Sequence, residues 1–236
     1  MYPVNVKFSD VKTFPSHPVA RTSLQILSGY IKRPKLVKDF LNDVTEKCSQ
    51  HYPLLAYLST KFNDTTLIEI GTFRGLGALA LSYNLSNKVI SYDIEDHKQW
   101  EQFPKNIEFR IKNFFEDADH ILQSPLIFFD AGTYAPNTGE DGSLESATYK
   151  FLRDNNYRGI LILDDIHISD KSNAVWNGIT TKKYDLTAVG HGYSRSIETK
   201  YINGHPRTGL LLSGTGLVDF SGSCNIINDV DNGLSS

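Results

Sequence analysis

Cysteine is scarce in this chain: among 236 residues only Cys48 and Cys224 are present. Two cysteines cannot build the disulfide framework of a small secreted fold, and they lack the paired spacing of a zinc site, so a reducing, cytoplasmic setting is expected. An excess of either charge is missing as well. A formal net charge of -3 provides no field to condense the chain onto nucleic acid or an anionic bilayer, and no nucleic-acid partner is expected. The basic cluster Lys32-Arg33-Pro34-Lys35 with Lys38 reads as a solvated helix start. Long apolar runs are also lacking. The opening MYPVNVKFSDVKTFPSHP holds no stretch of leader length, and nothing later approaches the roughly 20 apolar residues of a membrane span, so neither export nor a membrane anchor is expected.

What is present is an ordinary globular balance, 40% hydrophobic and 22% charged, too apolar for a chain that stays disordered. Pro3, Pro15 and Pro18 mark the first residues, up to about 20, as an irregular arm. From Ser23 to Phe62 apolar residues such as Leu24, Leu27, Ile31, Val37, Leu41 and Val44 recur at helical spacing, which predicts two or three helices broken at Pro34 and Pro53. After Asn63-Asp64 the pattern turns into short apolar runs, each closed by glycine or an acid and followed by a helix-compatible segment, a βαβ rhythm. Strands are predicted at Thr66–Ile70, Lys88–Asp93, Ile107–Ile111, Leu126–Asp130 and Gly159–Asp164. Their near-continuous apolar character suits a parallel sheet buried on both faces. Lys183–Gly190 and Thr208–Ser213 predict two further strands, with HGYSRSIETKYINGHPR as the loop between them, a connection that permits an antiparallel hairpin. The expected organisation is an N-terminal arm and helices over 1–60 that cap the same domain, a core over 61–222, and a tail over 223–236.

The run Leu67-Ile68-Glu69-Ile70-Gly71-Thr72-Phe73-Arg74-Gly75 puts an acid inside the end of the first core strand and glycines where a helix begins. Gly71 lets backbone approach a ligand closely, and the helix start offers unpaired N–H groups. A carboxylate at Glu69 would repel a pyrophosphate but could pair with an ammonium, and the G-x-G-x-x-G spacing of dinucleotide binders is not reproduced. The second strand ends on Asp93, about twenty residues after the turn, where an acid can accept from both hydroxyls of a ribose. Together these two acids describe a nucleoside bearing a cationic amino acid, which is the chemistry of S-adenosyl-L-methionine.

The stretch EIGTFRG resembles the E/D-x-G-x-x-x-G first motif of class I S-adenosylmethionine-dependent methyltransferases, with Asp93 in the place of their ribose-binding acid. The resemblance covers residues 60 to 220. It implies a Rossmann-like α/β fold: a seven-stranded, mostly parallel sheet with helices on both faces and an antiparallel last strand, joined here to an N-terminal helical extension. It also implies cofactor contacts from Glu69, Gly71, Thr72, Gly75, Asp93 and Asp130, and an adenine flanked by the end of the third strand at Lys112-Asn113-Phe114, with Asn113 as the polar residue.

Two more acids close strands, Asp130 and the pair Asp164-Asp165. In a parallel sheet all carboxyl ends share one edge, so these three carboxylates would crowd beside the cofactor crevice and repel one another unless a cation sat among them. Oxygen ligands suit Mg²⁺, Mn²⁺ or Ca²⁺, and such an ion would stabilise an alkoxide as it forms. The plainer reading is that Asp130 and Asp164 cap strand ends and Asp165 faces water. The Asp-Asp pair is similar to metal-dependent sugar O-methyltransferases of macrolide and aminocoumarin biosynthesis, whereas catechol-type enzymes carry Asp-Asn there. The resemblance therefore implies Asp130, Asp164 and Asp165 as ligands of Mg²⁺ or Mn²⁺, methylation of a hydroxyl on a sugar, glycan or other small acceptor, and Asp130 in the catalytic centre.

The pattern departs just beyond Asp130, where Gly132 and Thr133 stand in place of the acid or lysine base of those enzymes. The base candidates are then His167, after the acid pair, and His191, between two glycines. The polar segment 132–142 reads as an acceptor-binding loop, and Trp176 and Tyr193 as either ring-stacking or core residues. A metal-free methyltransferase, a catechol-type enzyme and a catalytically silent binding module of the same fold are the competing readings.

Overall fold

A computed structural model of the chain describes residues 4–7, 18–31, 51–98, 102–131, 144–167, 170–186, 192–202 and 205–227. Its centre is a seven-stranded sheet. The strands, in chain order, are β2 (Thr66–Ile70), β3 (Lys88–Asp93), β4 (Ile107–Ile111), β5 (Leu126–Phe129), β6 (Ile160–Leu163), β7 (Lys183–Asp185) and β10 (Gly216–Asp219). Across the sheet they run β4-β3-β2-β5-β6-β10-β7. The pairings from β4 to β6 are all parallel, and β10 lies antiparallel between β6 and β7. This is the Rossmann-like α/β fold expected. The apolar runs are explained by burial on both faces: Leu67, Val89, Phe128, Ile160 and Leu217 belong to one core, and Ile68, Ile90, Ile127, Leu161 and Val218 to the other.

Helices cover both faces. On the first lie α1 (Pro18–Ser28), α2 (Tyr52–Ser59) and α3 (Leu76–Leu81), which contribute Leu24, Leu27, Leu54, Leu58, Leu79 and Leu81 to the core. The second is packed by α4 (Ala118–Gln123), α5 (Leu144–Asp154) and α6 (Asp170–Gly178), through Ile121, Tyr149, Leu152 and Trp176. Among the described residues no helix is long and apolar enough to cross a membrane.

Three sequence expectations are corrected. The opening arm is not irregular throughout: β1 (Val4–Lys7) pairs in parallel with β11 (Cys224–Ile227), burying Val4, Val6 and Cys224. The terminal antiparallel strand is Gly216–Asp219 and not Thr208–Ser213, which belongs to a separate two-stranded hairpin of β8 (Gly192–Ile202) and β9 (His205–Gly214). The run expected as a strand from Lys183 ends at Asp185, and most of the segment expected as a loop is β8. The hairpin base is joined to the end of β6, where Ile166 N–H donates to Gly214 O at 2.9 Å.

Candidate active site at the carboxyl edge of the sheet

The chain leaves β2 toward β3 and β4 on one side and returns to β5 on the other, so the strand order reverses between β2 and β5. A crevice at the carboxyl ends is the general ligand site of such sheets. Here that edge is drawn tight. Asp130 N–H donates to Ile70 O and Gly71 N–H to Tyr92 O, both at 2.8 Å. Gly71 has φ of +97°, and a Cβ on it would lie 2.2 Å from the Asp130 carbonyl oxygen. Only glycine fits, because the backbone is both left-handed and in contact with the neighbouring strand.

The turn that follows is shaped by Asp93. Phe73, at φ +42°, occupies the left-handed region without being glycine, and its N–H donates to Asp93 Oδ2 at 2.8 Å. The other oxygen, Oδ1, accepts from Ile94 N–H at 2.8 Å. A carboxylate offers about four acceptor positions, so Asp93 can hold this turn and still accept from further hydroxyls. Gly75, at φ +77°, then caps α3 against the Phe103 ring. Exposed Phe73 and Ile94 flank Asp93, and exposed Ile111 pairs with it in register. Arg74 lies over the Phe73 ring, and its Nε is a buried donor with no partner among the described residues.

Glu69 differs from expectation. It is buried, with 1% of its surface exposed, and accepts from Ser91 Oγ and from the Ala78 backbone N–H. Ser91 Oγ is also 2.6 Å from the buried Thr72 Oγ1, so Glu69, Ser91 and Thr72 join β2, β3 and the glycine turn in one line. Gly77 completes the arrangement, since a Cβ there would fall 2.0 Å from Glu69 Oε1. Burial raises the Glu69 carboxyl to about 8, against the lowering effect of its hydrogen bonds. The residue therefore shapes the cradle from within and keeps its proton to well above the ordinary carboxylate range.

A stability test follows from that shift. The folded chain keeps a proton that the unfolded chain releases near pH 4.5, so the contribution of Glu69 is full below that pH and is lost as pH rises toward about 8. Glu69→Gln keeps the shape without the titration, its amide donating to Ser91 and its oxygen accepting from Ala78. Near pH 8 it should be more stable than the parent by roughly 1–3 kcal/mol, with the gain shrinking toward pH 5, as read by urea unfolding at the two pH values. A variant that is equally destabilised at both would contradict a raised Glu69 pKa.

On the far side of Gly71 lie the acids. Desolvation, then the charges of Asp164, Asp165 and Glu69, push the Asp130 carboxyl well above the ordinary carboxylate range. Asp164 leaves β6 with its N–H on Phe129 O at 3.0 Å, and its Oδ1 accepts from Thr215 Oγ1 at 3.5 Å. Its Oδ2 is 3.2 Å from Nδ1 of His51, a residue that sequence reasoning did not single out. His51 precedes α2 and is 8% exposed, with its ring against Tyr52 and Phe128 at centroid distances of 4.4 and 4.9 Å. Potential ligand atoms of His51, Asp130 and Asp164 all lie within 4.8 Å of one another. Two carboxylates and an imidazole that close are donors of the kind a divalent cation takes, and His51 Nε2 is buried with no hydrogen-bond partner among the described residues.

The other expected residues fall elsewhere. Asp165, at φ +56°, turns the chain after β6 and is not one of that trio, although its charge reaches Asp130. His167 has both ring nitrogens engaged, Nδ1 with Asn173 Oδ1 and Nε2 with Asp185 Oδ2, each at 2.7 Å. It ties the end of β6 to α6 and β7. Asn113 Oδ1 accepts from Phe115 N–H at 3.1 Å and caps a 3-10 turn over Phe114–Asp117. Lys112 is paired with Asp117 at 2.8 Å and Phe114 is buried. Trp176 is core, its ring against Gly216. His191, the 132–142 segment and the side chain of Tyr193 lie outside the described residues.

No family model matches the chain. Nor does any curated protein. Solved structures do resemble its path. Cofactor-bound Rv0187 from MTB is 13% identical, with a TM-score of 0.49 over 90% of this chain and 96% of that one. An O-methyltransferase from Bacillus cereus in complex with SAH is 12% identical, with a TM-score of 0.41 over 84% and 89% of the two chains. Precorrin-6y C5,15-methyltransferase from Geobacter metallireducens GS-15 is 9% identical, with a TM-score of 0.44 over 71% and 87%. At these identities the likeness concerns the fold alone.

Proposed function

We propose that this protein transfers the sulfonium methyl group of S-adenosyl-L-methionine to a hydroxyl oxygen of a sugar, a glycan terminus or a similar small polar acceptor, with a divalent cation at Asp130 and Asp164. One observation carries the reading. At a single strand-order reversal, the Gly71 turn separates an acid suited to a ribose, Asp93, from a His51–Asp130–Asp164 group suited to a cation and an acceptor oxygen. Exposed Phe73, Ile94 and Ile111 supply apolar cover of the kind a purine needs, and Arg74 Nε, without a partner among the described residues, is a donor for the carboxylate of a methionine moiety.

The reaction asks mostly for alignment. The methyl carbon bonds to the acceptor oxygen as its bond to sulfur breaks, leaving S-adenosylhomocysteine, a methyl ether and the proton of the hydroxyl. Asp93 and the glycine turn would fix the donor, and Asp130 and Asp164 the acceptor, so that the two reacting atoms meet in line. A cation bound there lowers the hydroxyl pKa and offsets charge developing on its oxygen.

Calorimetric titration with S-adenosylhomocysteine tests the donor half. Asp93→Ala removes a charged acceptor of two hydroxyls, so binding should weaken roughly 10- to 100-fold. Unchanged affinity in that variant would remove Asp93 from the site. Transfer of labelled methyl to a panel of hydroxylated sugars tests the acceptor half, and no transfer to any of them would overturn that class.

A further inference from the structure

We propose that the cation of this site is held by a mixed nitrogen and oxygen donor set, His51 with Asp130 and Asp164, and that the site therefore selects a transition-series ion such as Mn²⁺, Co²⁺ or Zn²⁺ over Mg²⁺ or Ca²⁺. The inference rests on the metal-assisted reading above and specifies its donor set and its ion.

The argument begins with His51. An imidazole that is 8% exposed needs its polar atoms satisfied, yet one of its nitrogens, Nε2, has no hydrogen-bond partner among the described residues. The ring is also held in place. The His51 carbonyl accepts from Leu55 N–H at 2.9 Å, the ring rests on Phe128 of β5, and α2 behind it is buried from Pro53 to Ser59. His51 makes no side-chain hydrogen bond that caps α2, so serving that helix does not explain its polarity.

Its neighbours decide what the partner is. Asp164 Oδ2 is 3.2 Å from the ring's other nitrogen, Nδ1, and Asp130 completes a group in which one ligand atom from each residue lies within 4.8 Å of the others, which is the company of a cation and not of an anion or an apolar group. Asp165, the third acid of an all-oxygen set, stands outside that group. Imidazole favours first-row transition ions, whereas Mg²⁺ and Ca²⁺ are taken chiefly by oxygen, so replacing one carboxylate by His51 shifts the preference.

The test uses the full chain stripped of metal by chelator, with Co²⁺ titrated by its visible absorption and Mn²⁺, Zn²⁺ and Mg²⁺ as competitors. The expected result is one Co²⁺ per chain, displaced by Mn²⁺ or Zn²⁺ and displaced by Mg²⁺ only at about 100-fold higher concentration. His51→Gln should weaken Co²⁺ about 10-fold or more, while Asp165→Asn stays within about threefold of the parent. Imidazole-nitrogen modulation of the Mn²⁺ electron spin echo in the unmodified protein gives the same answer without a variant. Tight Mg²⁺ binding, an absent nitrogen signal, or loss at Asp165 in place of His51 would overturn the inference while leaving a metal site standing. Failure of the unmodified chain to bind any of these ions would overturn the metal-assisted reading itself, and S-adenosylhomocysteine binding would then be judged separately.

Discussion

Asp164→Ala should lower methyl transfer about 100-fold or more while S-adenosylhomocysteine affinity stays within about threefold of the parent, because its carboxylate serves the acceptor side of the crevice and not the nucleoside side. The reasoning is geometric. Asp164 extends from β6 toward His51, with one oxygen 3.2 Å from Nδ1 and the other in reach of Thr215. Removing it leaves Asp130 and His51 without the third member of the only such group found among the described residues. Asp93 and the glycine turn lie on the other side of Gly71 and share no hydrogen bond with Asp164. Steady-state transfer measured beside calorimetry separates the two effects. Full turnover in this variant, or full turnover of the parent in excess chelator, would remove the cation from the chemistry. A parallel loss of nucleoside affinity would mean that donor and acceptor sides are not separate.

The largest effect on stability is expected at Gly71. A methyl group there meets the Asp130 carbonyl oxygen at 2.2 Å and its carbon at 2.5 Å, and both belong to backbone that is pinned by the Asp130 N–H bond to Ile70. No side-chain rotation relieves that contact, so β5 must move away from β2. Left-handed strain adds to the collision, and Gly71→Ala should cost about 3 kcal/mol or more. In a chain of this size that corresponds to a fall of roughly 6–12 °C in melting temperature. Gly222 provides the control. Its φ is +67°, but nothing lies within 4 Å of an added Cβ. Gly222→Ala therefore reads conformational strain without collision, at about 1 kcal/mol. Equal losses at the two positions would show that the close approach of β2 and β5 contributes nothing.

The central strands were legible because burial on both faces leaves almost no polar residue inside them. Thr66–Ile70 and Lys88–Asp93 begin and end where such runs do, whereas the edge strand Ile107–Ile111 is half-buried and carries Glu108 and Arg110. Gly71 and Asp93 were legible for the same reason, since each stands where such a run stops. The edges of the fold carried weaker signals. Residues 192–202 form a strand although they are largely polar, and the Asn203-Gly204 dipeptide between the paired Ile202 and His205 is the two-residue hairpin signal that would have revealed it. Pairing between Val4–Lys7 and Cys224–Ile227 joins segments more than two hundred positions apart, and no local pattern encodes a partner at that distance.

The site divides in the same way. Carboxylates at strand ends announce themselves, because an acid after an apolar run has few structural uses. His51 does not, since a single histidine before a helix carries no spacing that relates it to Asp130 or Asp164. Only the fold, which sets the His51 ring against Phe128 of β5, brings them together. His167 shows the converse: a histidine two residues after an acid pair looks well placed in sequence, yet the turn at Asp165 directs it to Asn173 and Asp185.

The most direct measurement is a crystal structure of the full chain soaked with S-adenosylhomocysteine and Mn²⁺. The account predicts nucleoside density along the Gly71–Gly75 turn with the ribose hydroxyls on Asp93, and an anomalous peak bounded by His51, Asp130 and Asp164. A nucleoside seated elsewhere, or a crevice between β2 and β5 that takes up neither molecule, would contradict it.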